Sequence, residues 1–280
     1  MKILCIDGYN FMHRARSGFQ LGDYAIIFNF MRNLRALVEM HKPARAYFVI
    51  EGNPKHRFEA LPEYKANRVV EDDGTPQASA KIKEIRNFWR QKNEIIKLMS
   101  THFPLNVIHH PDHECDDVIY NLIQRSSSAG EWIVASNDSD FIQLLNQFGN
   151  VKVYNPMTKS FVVEPEHDYV TWKALRGDGS DNIKGIPGVG DVAAEKLVND
   201  PEALKALFSD PEKARIFQRN YELIHFYKWS DEEAMQMTSS SPQRNWDVVG
   251  EAFDTWQFKS IRKDGAWQKF INTFDPLFGN

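Results

Sequence analysis

The feature that most restricts the fold is a set of short, wholly apolar runs, KILCI (residues 2–6), AYFVI (46–50) and WIVA (132–135), joined by weaker runs NVI (106–108) and VKVY (151–154). Strands without polar alternation are covered on both faces. Residues 23–40 instead place Ile27, Phe30, Met31, Leu34, Leu37 and Val38 on one helical stripe. Strands alternating with helices predict an α/β fold, a mostly parallel central sheet flanked by helices. Beyond residue 169 the strands are expected to stop, and 169–176, 191–198 and 201–208 read as helices. The expected organisation is therefore an α/β domain over 1–168 and a mainly α part over 169–280 with an aromatic-rich tail. SSSPQ (239–243) is the most linker-like stretch, and no internal repeat is visible.

At 280 residues the chain suits one large domain or a domain with an appendage. No run approaches the roughly 18 apolar residues of a membrane span, and the opening run is too short for a signal core. No membrane is expected as a partner. Cys5 and Cys115 form no CxxC pair, so a disulfide framework and a thiolate zinc site are both excluded, and a reducing, cytoplasmic compartment is expected. The net charge of −4 gives no global field for nucleic acid, so any phosphate must be held by local patches.

Acids collect where the strands end. Asp7 follows the first run, Glu51 the second, and Asp138 and Asp140 follow the fourth in SNDSDF. In a parallel sheet the carboxyl ends of the strands line the ligand crevice, so acids distant in sequence would converge there. HECDDVIYNLI adds Glu114, Asp116 and Asp117 at a helix start, and GDGSDNIKGIPG adds Asp178 and Asp181. Singly, each has a plainer role: acids at a helix N-terminus complement its dipole for about 0.3–1 kcal/mol, and Asp in a Gly-rich loop favours turns. Together they need cations, because two carboxylates about 4 Å apart repel by about 4 kcal/mol at an effective dielectric near 20. Oxygen-only donors favour Mg²⁺, and two ions suit in-line phosphodiester cleavage.

Other metals fit less well. His109, His110 and His113 precede Glu114 and would serve zinc, but no HExxH occurs. The DSD of residues 138–140 lacks the glycine and glutamate of a calcium-binding EF-hand loop.

Three segments point to nucleic acid. GIPGVG (185–190), with Gly185, Gly188 and Gly190, offers backbone N–H groups to a phosphate ahead of a helix N-terminus, with Lys184 and Lys196 nearby. It resembles a helix-hairpin-helix, although a glycine-rich turn between helices would look the same. LPEYKANR (61–68) places Lys65 and Arg68 three apart, suited to a scissile phosphate, and Tyr64 beside them to stack on an unpaired base. After the loop signal EDDGTP (71–76), residues 81–97 read as a helix with a local charge of +4 that includes Lys81, Lys83 and Arg86. Charge alone would make that a solvated surface helix.

In their order along residues 1 to about 200, IDGYN, the strand ending at Glu51, LPEYKANR, the ECDD run, SNDSDF and GDGSDNIKGIPGVG resemble the structure-specific 5′-nuclease superfamily. This is the flap endonuclease and 5′-3′ exonuclease group, particularly its bacteriophage members, which include the phage ribonuclease H type. The resemblance implies a metal-dependent 5′ nuclease that removes flaps or RNA primers in DNA replication. It implies a first metal cluster of Asp7, Glu51, Glu114 and Asp116 and a second of Asp117, Asp138, Asp140, Asp178 and Asp181. Catalytic roles fall to Lys65, Arg68, Asp117 and Asp138. Two Mg²⁺ ions are implied, replaceable by Mn²⁺, and K⁺ on backbone carbonyls of the helix-hairpin-helix. A helical arch over about 65–100 would admit a single-stranded 5′ end. The implied partner is branched or nicked DNA with a 5′ single strand, or an RNA/DNA hybrid, together with replication proteins such as a single-strand-binding protein. A monomer is expected, in the bacterial host cytoplasm for a phage-encoded chain. The family's VFDG-like strand end is VIEG here, so Glu51 departs from the usual Asp. Two rivals share the acids: a PIN-like ribonuclease, which would lack the arch and hairpin, and a non-catalytic junction-binding protein.

Overall fold

A computed structural model describes residues 1–20, 22–69, 71 and 73–278; Asp72 of the EDDGTP loop falls outside them. The central sheet has seven strands: β1 (Lys2–Asp7), β2 (Arg45–Ile50), β3 (Asn106–His109), β4 (Glu131–Ala135), β5 (Val151–Asn155), β6 (Ser160–Phe161) and β9 (Thr238–Ser239), with β7 (Gly177–Asp178) and β8 (Ile183–Lys184) forming a separate hairpin. Their order is β6-β5-β4-β1-β2-β3-β9. The five apolar runs are mutually parallel, and only the two-residue edges β6 and β9 are antiparallel. The chain steps one way from β1 to β3 and then returns to the other side of β1 with β4. That reversal opens a crevice at the carboxyl ends of β1 and β4.

The apolar strands are explained by what covers them. Leu4 and Ile6 of β1 pack with Phe11 and Met12 of α1 (Gly8–Ala15) and Phe30 and Leu34 of α2 (Ala25–His41). Ile3 and Cys5, on the other face, pack with α5 (Cys115–Ser126) through Val118 and Ile119. Between β2 and β3 run α3 (Lys55–Ala60) and the 27-residue α4 (Pro76–His102). The second half of α4 is anchored in the core by Phe88, Ile95, Leu98 and Met99, while most of its first half stands in solvent. α6 (Ile142–Gln147) joins β4 to β5. α7 (Tyr169–Arg176), α8 (Asp191–Val198), α9 (Pro201–Leu207), α10 (Pro211–Ile224) and α11 (Asp231–Met235) follow.

The expected end of strand structure at residue 169 is corrected by β9. Ser239 pairs with Ile108 and Thr238 with His109, and Ser240 Oγ accepts from Val107 N at 2.9 Å. The serine run that reads as a linker is thus the capped edge of the sheet. The aromatic tail, α12 (Trp246–Thr255), α13 (Lys259–Arg262) and α14 (Ala266–Phe274), is core. Phe274 and Trp246 lie 5.2 and 5.4 Å from Phe103, and Phe258 lies 5.2 Å from Phe28, as ring centroids. No helix among the described residues is long and apolar enough to cross a membrane.

Candidate active site

At the crevice, Asp7 ends β1, caps α1 by accepting from Asn10 N at 3.1 Å, and accepts from Ser136 Oγ just beyond β4 at 2.8 Å. Glu51 is the first residue after β2, Glu114 sits at the N-cap position of α5 without a side-chain capping bond, Asp116 lies in its first turn, and Asp138 accepts from Asp140 N at 3.0 Å. With Asp181, these seven carboxylates line one cleft of about 630 Å³. Asp178 lines an adjoining cleft together with Asp138, Asp140 and Asp181. Burial pushes Asp7 up to about 6, with Asp116 adding to it. Burial likewise raises Glu51 to about 7 against the pull of Lys92, and Asp140 to about 7 with Asp138 reinforcing it. Crowding of this kind is relieved by a cation.

The cationic side chains are arranged around these acids. Lys65 pairs with Glu114 and lies 3.7 Å from Asp181, and Arg68 pairs with Asp181 while remaining half exposed on the rim. Lys65 adopts a left-handed φ of 56°, held by its N–H donating to Asp181 O at 3.0 Å. Three further contacts escape a reading of the sequence. Arg57, in α3, is fully buried and pairs with Glu114, Asp116 and Asp117. Lys173, in α7, pairs with Asp140 and lies 2.7 Å from Asp178. Lys92 is 3.9 Å from Glu51. Arg57 and Lys173 resemble surface cations in sequence, and only the proximity of their helices to the acids reveals their work.

Two expectations are corrected. Asp117 does not join the acids of the cleft. One position along α5 from Asp116, it is rotated about 100° around the helix, is fully buried, and accepts from Tyr227 N at 2.8 Å beside His56 and His113. Burial raises it, with Arg57 opposing and Asp116 reinforcing. Asp116, by contrast, is lowered overall, because Arg57 and Lys65 outweigh its burial. Tyr64 cannot stack on a base. It is 3% exposed, and its hydroxyl donates to Glu114 at 2.9 Å and Asp181 at 2.8 Å.

Of the basic residues on α4, Lys81 lines the cleft with Ile85, Phe88 and Trp89, whereas Lys83 and Arg86 are exposed and outside it. Trp89, which the sequence places on one apolar stripe of this helix with Ile82, Ile85 and Ile96, is 46% exposed. Farther along, α7 and α8 pack through Leu175, Ile186 and Ala194. Gly185 passes so close to Arg176 O that a Cβ would lie 2.1 Å from it, and Gly188 has a φ of +82°. Gly190 precedes α8 with no side chain capping it, and Lys184 and Lys196 are exposed.

Comparison with known proteins gives the family and the fold. The 5′-3′ exonuclease N-terminal, resolvase-like domain matches residues 2–173. A 5′-3′ exonuclease of Mycoplasmopsis pulmonis is 26% identical over 78% of this chain and 73% of its own, and one of Aquifex aeolicus is 27% identical over 94% and 95%. Bacterial DNA polymerase I chains also match, this chain spanning 23% to 27% of their length. Among solved structures, the bacteriophage T5 flap endonuclease, in a pseudo-enzyme-product complex with DNA and metal ions, shares the fold with a TM-score of 0.67 at 16% identity over 99% of both chains.

Proposed function

This chain belongs to the 5′-3′ exonuclease family, and from that premise we propose that the acidic cleft is a divalent-metal site that hydrolyses phosphodiesters near single-strand/duplex junctions. The reading is a flap endonuclease and 5′-3′ exonuclease acting in flap or RNA primer removal. One observation carries it: seven carboxylates line the cleft against four cationic side chains, Arg16, Lys65, Arg68 and Lys81. The donors are oxygens, and the nearby Cys115 thiol is engaged with Val49 O at 3.3 Å. Such a set fits Mg²⁺, with Mn²⁺ as a substitute. Asp7, Glu51, Glu114, Asp116, Asp138, Asp140, Asp178 and Asp181 are the residues that would hold it. When bound, two ions supply Lewis acidity and neutralise charge at the scissile phosphate.

The protein's own groups do the rest. Arg68, half exposed on the rim, meets the phosphate that enters, and Lys65 stands deeper to counter the charge that develops during cleavage. The free half of α4 forms the wall of an arch over the cleft, where Lys81 draws in the backbone of a 5′ single strand. The turn at Gly185, Gly188 and Gly190 grips the downstream duplex with backbone N–H groups at the start of α8, and K⁺ would sit on carbonyls of that turn. The partner is branched or nicked DNA with a free 5′ strand.

The test is cleavage of a 5′-flap duplex in Mg²⁺. Loss of cleavage in EDTA and in Asp138→Asn, with flap binding retained, supports the assignment. Equal activity of Asp138→Asn removes it, and preference for unstructured RNA over the flap would favour a PIN-like ribonuclease instead.

A further inference from the structure

Behind the acidic cleft, on the side of α5 that Asp117 faces, His56 of α3 converges with His113 and Asp117, which lie four residues apart at the start of α5. His56 Nε2 lies 3.7 Å and His113 Nδ1 3.9 Å from Asp117 Oδ2. One donor atom from each of the three falls within 4.8 Å of the other two. Asp117 and His113 are 0% and 3% exposed. Asp117 Oδ2, His113 Nδ1 and both ring nitrogens of His56 are buried without a hydrogen-bond partner. The second oxygen of Asp117 is used twice, by Tyr227 N at 2.8 Å and Arg57 Nη2 at 3.2 Å. Buried polar atoms are almost always satisfied, so several orphans facing one point call for a shared partner.

We propose that His56, His113 and Asp117 form a metal site, separate from the acidic cleft, that takes Zn²⁺ through two imidazole nitrogens and one carboxylate oxygen. Two nitrogens and an oxygen are zinc donors, with a water completing the tetrahedron. Bonds of about 2.0–2.1 Å set ligand atoms about 3.3 Å apart in such a site, so the 3.7 and 3.9 Å separations from Asp117 must close by about half an ångström, and the two imidazole donors, within 4.8 Å of each other, must also draw together. Imidazole also disfavours Mg²⁺, whose preference is for oxygen. Arg57 lies 3.2 Å from the same Asp117 oxygen, but Glu114 and Asp116 share its charge. The neighbouring His110 is excluded as a ligand: its Nε2 meets Glu233 O at 2.9 Å and its Nδ1 accepts from Asp112 N at 3.1 Å.

The competing account is an aromatic stack, since His56 and His113 lie 4.7 and 5.3 Å from the Tyr227 ring. Phenylalanine would stack equally well at both positions. Stacking therefore explains the rings and leaves the convergent heteroatoms unexplained. A bound ion would tie α3 to the start of α5 and so brace the two elements that carry Arg57, Glu114 and Asp116.

The proposal stands whether or not the acidic cleft is catalytic. The full chain, held in excess Mg²⁺ to occupy oxygen-donor sites, is titrated with Co²⁺ and followed by visible absorption. A single equivalent with the intense bands of a tetrahedral ion is expected. Zn²⁺ should displace it, and it should be lost in His56→Phe. His113→Phe provides a second arm, and circular dichroism in EDTA reports which variants fold. Only the weak bands of octahedral oxygen coordination in the unaltered protein would overturn the proposal, as would tetrahedral bands that persist in a folded variant.

Discussion

Lys173 Nζ lies 2.7 Å from the Asp178 carboxylate inside the protein, and the same ammonium also pairs with Asp140. The charge is shared unequally. Lys173 outweighs burial at Asp178 and, with Ser180, lowers it to about 2, while burial and Asp138 keep Asp140 at about 7. Lys173 thus acts as an internal counter-ion between two candidate metal ligands. Removing one partner of a buried pair costs about 3–5 kcal/mol, because the other charge stays buried. Lys173→Met should therefore lose about 3 kcal/mol of stability in EDTA by urea denaturation. Mg²⁺ should restore more stability to the variant than it adds to the unaltered chain. An equal Mg²⁺ increment in both proteins would show that Lys173 and the metal do not share these acids.

The raised carboxyls give the protein a pH signature with opposite signs in the two metal states. Asp7, Glu51 and Asp140 hold protons to about 6, 7 and 7 in the fold, against unfolded values of 3.8, 4.5 and 3.8. Between those limits these three groups bind more protons in the fold, so their contribution to stability without metal falls as pH rises to 6 to 7. That is opposite in sign to the contribution of the partly buried His13 and His56, whose pKa values burial lowers to about 4. Ligands must lose their protons to bind a cation, so stabilisation by Mg²⁺ grows over the same window. In thermal melts the Tm shift caused by Mg²⁺ should be larger near pH 8 than near pH 5.5. A Mg²⁺ shift independent of pH would separate these three acids from the metal.

Legibility from sequence followed physical range. β1, β2 and β4 were readable because both faces of each are apolar, and the acids at their ends were placed by the rule for parallel sheets. Asp116 and Asp117 are alike in sequence, and only the turn of α5 sends one to the cleft and the other to His56 and His113. Arg57 and Lys173 read as ordinary surface cations, since burial through partners distant in sequence leaves no local pattern. β9 leaves no sequence signal, because two residues carry no period and the adjoining serine run imitates a linker. Tyr64, beside the basic pair, has the sequence pattern of a stacking residue, but its hydroxyl is turned inward to Glu114 and Asp181.

On the proposed function, Trp89, rather than Tyr64, is the aromatic that meets a single strand. Trp89 is 46% exposed on the wall of the cleft, with Lys92 Nζ 4.3 Å from its ring. Stacking on a base is worth about 1–3 kcal/mol, so Trp89→Ala should weaken binding of a flap substrate by about tenfold or more in a fluorescence titration. Tyr64→Phe should leave that affinity near its starting value. It should instead lose about 1–3 kcal/mol of stability, because Glu114 and Asp181 lose a buried donor. The reverse pattern, with affinity lost in Tyr64→Phe alone, would return the stacking role to Tyr64.

The two glycines of the turn before α8 should fail for different reasons and by different amounts. At Gly185 a methyl group would lie 2.1 Å from Arg176 O and 2.8 Å from Gly177 N, both backbone atoms that cannot rotate away. Gly185→Ala must therefore push α7 from the segment leading into α8 and open the contact of Ile186 N with Leu175 O, now 2.8 Å. Gly188 has open space around its Cβ position, and its φ of +82° is the whole obstacle. A left-handed conformation costs an L-residue about 1–2 kcal/mol, so Gly188→Ala should be the milder change. Thermal melts should rank Gly185→Ala well below Gly188→Ala. Affinity for a nicked duplex without a flap should fall in the same order, while single-strand binding at α4 is spared. Equal duplex affinity in Gly185→Ala and the unaltered chain would remove this turn from the interface.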